Sequence, residues 1–286
     1  MPALPEARSA AAAVTYAGQL FVIGGRSAVA PVASVAIYDP TRDEWHSGAA
    51  KPLPVSEAQA AVLGGRLVVP GGVLANGKPT DEVEVYAPQD DRWTSIASLP
   101  RPLARYALAT YEGRLYLFGG WDGQQVRDEI LRYDSERDTW EQVARLDTPR
   151  SAAAAAELND LIYIVGGSDA NGTALAGVLL FRPGPEVLIE AGPSLPAAEL
   201  APALTTLAGN LYLLGHNQQL RYDPVEHAWT PLEMPPVSDW QGAALVALDP
   251  YVIALGGMSN GAPSASAWRY QAIYHVFIPG APGKRQ

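Results

Sequence analysis

An apolar run that ends in two glycines, followed by a tyrosine and then by a tryptophan seven residues further on, occurs six times in this chain of 286 residues. The third copy reads Leu115-Tyr116-Leu117-Phe118-Gly119-Gly120, then Tyr133-Asp134, then Trp140. The first glycines are Gly24, Gly71, Gly119, Gly166, Gly215 and Gly256, so the steps are 47, 48, 47, 49 and 41 residues. The aromatic that follows is Tyr38, Tyr86, Tyr133, Phe181, Tyr222 and Tyr270, and the residue seven further on is Trp45, Trp93, Trp140, Leu188, Trp229 and Phe277. Three markers in one phase define an array of units that bury their apolar faces only against their neighbours. The short step comes from a deletion between Gly215 and Tyr222, which also puts His216 where every other repeat has its second glycine.

Within each unit the segments read as four short strands. The first is small and alanine-rich, as in Ala152 to Ala156. Alanine favours helix, but six such strands crowded about one axis leave no room for larger side chains. A glycine hairpin such as Tyr111-Glu112-Gly113-Arg114 leads to a continuous apolar run, the pattern of a strand covered on both faces. The third strand alternates, as in Glu82-Val83-Glu84-Val85-Tyr86, and Asp-Pro closes it in the first and fifth units. Trp45 and its equivalents open the outermost strand, where a large flat side chain wedges between units. Repeat four departs most, with Phe181, Arg182-Pro183-Gly184-Pro185 and Leu188, so its outer edge is expected to be loosest. Pro70 has no ladder donor and is expected at a strand end. Leu4-Pro5 lies 20 residues before Gly24, as Leu99 lies before Gly119, so Met1 to Ala7 reads as a connector between units.

This combination of diglycine, Tyr-Asp and Trp at roughly 50 residues per unit resembles the kelch repeat. The resemblance runs from about Leu4 to Pro279 and implies an all-β fold: one domain, a six-bladed kelch-type β-propeller with four antiparallel strands per blade. The repeats are placed at about 8–53, 54–100, 101–147, 148–196, 197–235 and 236–279. The phase expects 24 strands, with each blade built from one stretch of chain and the last blade ending on an outermost strand near Pro279. A start inside a connector is what excision from a longer protein would leave.

Composition narrows the function. Lys+Arg 20 against Asp+Glu 30 gives a net charge of −10, with no basic stripe for a phosphate backbone, so nucleic acid is not expected as a partner. No basic region followed by an apolar core opens the chain, and no apolar run reaches the length of a membrane span, so it is read as soluble with no insertion in a membrane. The compartment stays open. With no cysteine the chain cannot be one of the kelch copper radical oxidases, which need a cysteine crosslinked to a tyrosine. The four histidines, His46, His216, His227 and His275, occupy different repeat positions, which argues against a shared metal. Hydrolase, nucleotide-binding and zinc-protease motifs are missing, so no cofactor and no metal are expected.

Functional residues are expected on the longer loops of one face, where corresponding places in a ring converge. The candidates at that axial mouth are Arg8, Arg26, Arg105, Trp121, Arg150, Glu199, His216, Asn217 and Trp240. Arginine forks there suit a carboxylate or other anion, and the tryptophans suit a sugar or an aromatic side chain. The resemblance implies a monomeric, non-enzymatic binding or scaffold module that takes a peptide, a protein loop or a glycan. The alternative it implies is an enzyme of the sugar isomerase or mutarotase kind known among bacterial kelch proteins, with Glu199 or Asp239 working beside arginines.

Overall fold

The computed structural model describes residues 1–184, 186–216, 218–233 and 240–273. The chain is all-β, a ring of six antiparallel blades. Blade one runs outward through Ala12–Tyr16, Gln19–Ile23, Val35–Asp39 and Glu44–Gly48, and blades two to five repeat that order. In blade six the described strands are Ala243–Leu248, Tyr251–Gly256 and Ala267–Gln271, with a short extra hairpin, Met258–Ser259 with Ala262–Pro263, between the second and third. The outermost strand expected around Phe277 lies outside the described residues, as does Asn217.

Each innermost strand packs against the innermost strands of both neighbouring blades, which closes the ring. Small side chains make this approach feasible, and Ala12, Ala61, Ala107 and Ala154 are buried there. The second strands carry the core: Leu20, Leu67, Leu115, Ile162 and Leu211 are each 0 % exposed. At about 25 cal/mol per Å² of apolar surface, such strands supply most of the drive to fold. Pro70 ends its strand, where it needs no donor, and its carbonyl accepts the Tyr106 hydroxyl.

The tyrosine and tryptophan markers face each other across the third and fourth strands. Tyr38 and Trp45, Tyr86 and Trp93, Tyr133 and Trp140, and Tyr222 and Trp229 are register partners, with ring centroids 5.3, 5.1, 5.2 and 5.1 Å apart. Each indole then donates to the connector that enters its own blade, at the carbonyls of Pro2, Ala49, Ala97 and Pro193. Repeat four differs from the sequence expectation here: Ile189, not Leu188, stands opposite Phe181, because the turn through Pro183 and Gly184 is one residue longer. Leu188 pairs with Arg182 and is 43 % exposed.

The connectors join blade to blade. The amides of Leu4, Lys51, Leu99, Leu146 and Leu195 donate to the carbonyls of Ala265, Ala33, Asp81, Asp128 and Ala176 in the preceding blade, so Leu4 does for the ring's closure what the internal connectors do elsewhere.

The diglycine has a physical reason in these links. The amide of each second glycine, Gly25, Gly72, Gly120, Gly167 and Gly257, donates to a carbonyl of the chain entering the next blade, at Val55, Leu103, Arg150, Glu199 and Arg8 respectively. That carbonyl lies where a side chain on the first glycine would stand, and the first glycines have positive φ. Blade five has His216 instead of a second glycine, and its amide donates to the Glu199 carboxylate at 3.0 Å, within the connector and not across to blade six.

Charged side chains reinforce blade three at the connector. Burial pushes the Glu129 carboxyl up, but hydrogen bonds from Arg127 and Arg101 outweigh it and hold the pKa down at about 2. A carboxylate with a depressed folded pKa stabilises the protein above its unfolded value and loses that contribution as pH falls. Wild type is therefore expected to lose about 2–3 kcal/mol relative to Glu129→Gln between roughly pH 5 and 2. Urea titrations of both proteins across that window measure it, and parallel curves would refute it.

Candidate functional site

Ala10, Glu57, Arg105 and Ala152 sit at one repeat position, each with positive φ, at 49°, 58°, 56° and 53°. Their amides link the blades in series: Ala10 donates to the carbonyl of Gly242, Glu57 to that of Ala10, Arg105 to that of Glu57 and Ala152 to that of Arg105. The result is a belt of backbone hydrogen bonds around the axis from blade six through blade four. Ala201 holds the corresponding position in blade five, and among the described residues no such bond joins it to Ala152 or Gly242.

Inside the belt opens a cavity of about 870 Å³. Its wall is the alanine-rich inner strands, and its polar lining includes Ser9, Glu57, Gln59, Arg105, Glu199 and His216. The Arg105 guanidinium is fixed from two sides. It pairs with the Glu57 carboxylate of blade two, and it lies 5.0 Å from the centre of the Trp121 ring. Arg105 is 45 % and Glu57 27 % exposed, so both remain within reach of a ligand.

The nine residues singled out from sequence separate into groups. Arg105 and Trp121 meet at the rim, and Glu199 and His216 meet at the cavity wall in blade five. Arg26 is exposed on its loop and does not line the cavity. Arg8 and Arg150 turn away into the seams, 1 % and 6 % exposed, where each guanidinium is occupied with backbone carbonyls. Trp240 is 3 % exposed and packs with Leu214 and Ala254 between blades five and six. Glu57 was missed, although it lies 14 residues before Gly71 as Arg105 lies 14 before Gly119.

No group of three or more His, Cys, Asp or Glu side chains is placed to hold a metal ion among the described residues. No helix among them is long and apolar enough to cross a membrane.

The Kelch motif matches residues 7–52, 54–100 and 102–146, the first three units of the array. Comparison with curated protein sequences gives no match. Among solved structures, the one titled "Structure of YjhT" superposes with a TM-score of 0.82 over 93% of this chain and 95% of that one, at 13% identity, a likeness of fold. Sequence motif, period and architecture agree, and the chain is a kelch-repeat β-propeller of six blades.

Proposed function

We propose that the chain is a binding module and that the axial mouth takes a peptide or a protruding loop of a partner protein. The observation that carries this reading is Arg105, held ready between the Glu57 carboxylate and the Trp121 ring at the rim of a cavity of about 870 Å³. A cavity of that size suits a few residues of chain and not a folded domain. A guanidinium already oriented by a carboxylate loses little freedom on meeting a ligand acceptor, and the adjoining indole offers a flat apolar face. With Arg8 and Arg150 turned into the seams, the mouth presents paired charge in place of a cationic ring, so the ligand it fits carries donors and acceptors together, as a peptide backbone does.

A peptide and glycan array probed with wild type, Arg105→Ala and Trp121→Ala tests this. Capture of a peptide that weakens by about 30-fold in each variant is expected of residues at the centre of an interface. An exposed ion pair contributes about 0–1 kcal/mol to folding, so both variants should keep their Tm within a few degrees. Equal capture by all three proteins would remove the site from this mouth.

The buried Glu199 at the cavity wall favours a second reading, chemistry on a sugar. Binding of glycans alone on the array, with anomer exchange by NMR that Glu199→Gln abolishes, would decide for it.

A further inference from the structure

Arg8 and Arg150 are the same residue of the repeat, each 16 positions before the first glycine of its blade. Their Nη1 atoms make the same pair of bonds, Arg8 to the carbonyls of Gly24 and Ser34, Arg150 to those of Gly166 and Gly177. Their remaining nitrogens do not fare alike. Around Arg8, Nη2 donates to the Glu6 carboxylate at 2.9 Å and to the Ser34 hydroxyl at 2.8 Å, and that hydroxyl donates to the same carboxylate at 2.7 Å. Thr148 and Gly177 occupy these two places around Arg150. Neither Nε nor Nη2 of Arg150 has an acceptor among the described residues, and Nε is fully buried.

A buried cation without a carboxylate is costly, and continuous substitution of a neutral environment in repeats two and three, with Val55 and Leu103 at this position, shows that the fold does not require the charge. We propose that the seam at Arg150 is a carboxylate-binding site, distinct from the axial mouth, in which an external carboxylate takes the place that the Glu6 side chain fills beside Arg8. The space is present: a Cβ on Gly177 would come no closer than 3.5 Å to Arg150 Nη2, and Thr148 is exposed. Access follows from the counterpart, because Glu6 in the occupied seam is 42 % exposed. Electrostatics agree with the geometry. Burial lowers the pKa of both arginines, and attraction to Glu6 offsets this for Arg8 whereas nothing offsets it for Arg150. The neighbouring Asp147 forms no ion pair.

The test is thermal unfolding in sodium acetate against sodium chloride at equal ionic strength, with the 13C line width of acetate as a direct readout of binding. Acetate should raise the Tm of wild type saturably, by about 3 °C at ten times its Kd, and its line should broaden. Thr148→Glu with Gly177→Ser rebuilds the Arg8 arrangement from within. That double variant should start from a higher Tm in chloride and show neither response, and Arg150→Met should show no line broadening. A blocked glutamyl peptide amide, run in parallel, distinguishes sources: tighter binding than acetate assigns the carboxylate to a partner chain, and equal binding assigns it to a free acid. Indistinguishable acetate and chloride curves in wild type, or an undiminished acetate response in the double variant, would overturn the proposal. Loss of array binding at the axial mouth would leave it untouched.

Discussion

Gly71→Ala is expected to lower the stability of the ring by about 3–5 kcal/mol, the sum of a left-handed backbone for a residue with a side chain and an overpacked contact. The residue has φ +55°, and a Cβ there would overlap the Leu103 carbonyl oxygen and lie 3.0 Å from that of Thr80. Neither neighbour can withdraw cheaply, because both are backbone, and the Leu103 carbonyl accepts the Gly72 amide that joins blade two to blade three. Gly113→Ala separates the two contributions. That hairpin glycine has φ +69° with nothing within 4 Å of a built Cβ, so its variant should lose only about 1–2 kcal/mol. Denaturant melts of the two variants measure the difference, and equal losses would mean that contact across the seam is not what the diglycine protects.

The second large effect concerns Lys51 and Glu84. Both are buried, and the ammonium pairs with the carboxylate between the connector and blade two. The pair is well satisfied: Lys51 also donates to the Leu53 carbonyl at 2.9 Å, Glu84 accepts the Leu53 amide at 3.1 Å, and the ammonium lies 5.8 Å from the Trp93 ring centre. Burial lowers the Lys51 pKa, and Glu84 works against that by hydrogen bond and charge. Lys51→Met or Glu84→Gln alone should each cost about 3–5 kcal/mol by leaving an uncompensated charge or a lost acceptor in the interior. The double variant Lys51→Met with Glu84→Met should recover most of that loss, because a matched apolar pair is close to neutral. Additive losses in the cycle would show that the two side chains act independently.

Most of the architecture was legible because a ring repeats its geometry, so a weak signal seen once becomes a strong one seen in phase. The alanine strands on the axis, Pro70 at a strand end and Leu4 in a connector all followed from counting. The same counting, applied one step finer, reads part of the site. Arg8 and Arg150 lie 16 residues before their glycines and Arg105 lies 14 before its own, and those two residues separate a seam from a rim. Grouping all three as loop arginines lost that distinction. What counting cannot supply is which side chain a buried group meets. Glu6 beside Arg8 comes from a contact only two residues apart, with no echo in other repeats, and the Trp240 indole is buried where a mouth residue was expected because the 41-residue step removes the loop that would have carried it outward. Repeat four was read one residue out for a related reason, since an extra turn residue moved Ile189 opposite Phe181.

The belt around the axis has a consequence for how such a rim can change. Its links run through main-chain atoms of Ala10, Glu57, Arg105 and Ala152, so the opening keeps its diameter whatever side chains stand there. The four positions already carry a methyl, an acid, a base and another methyl on one backbone shape. Selection can therefore exchange the chemistry of the mouth one blade at a time, in a chain whose scaffold does not register the exchange.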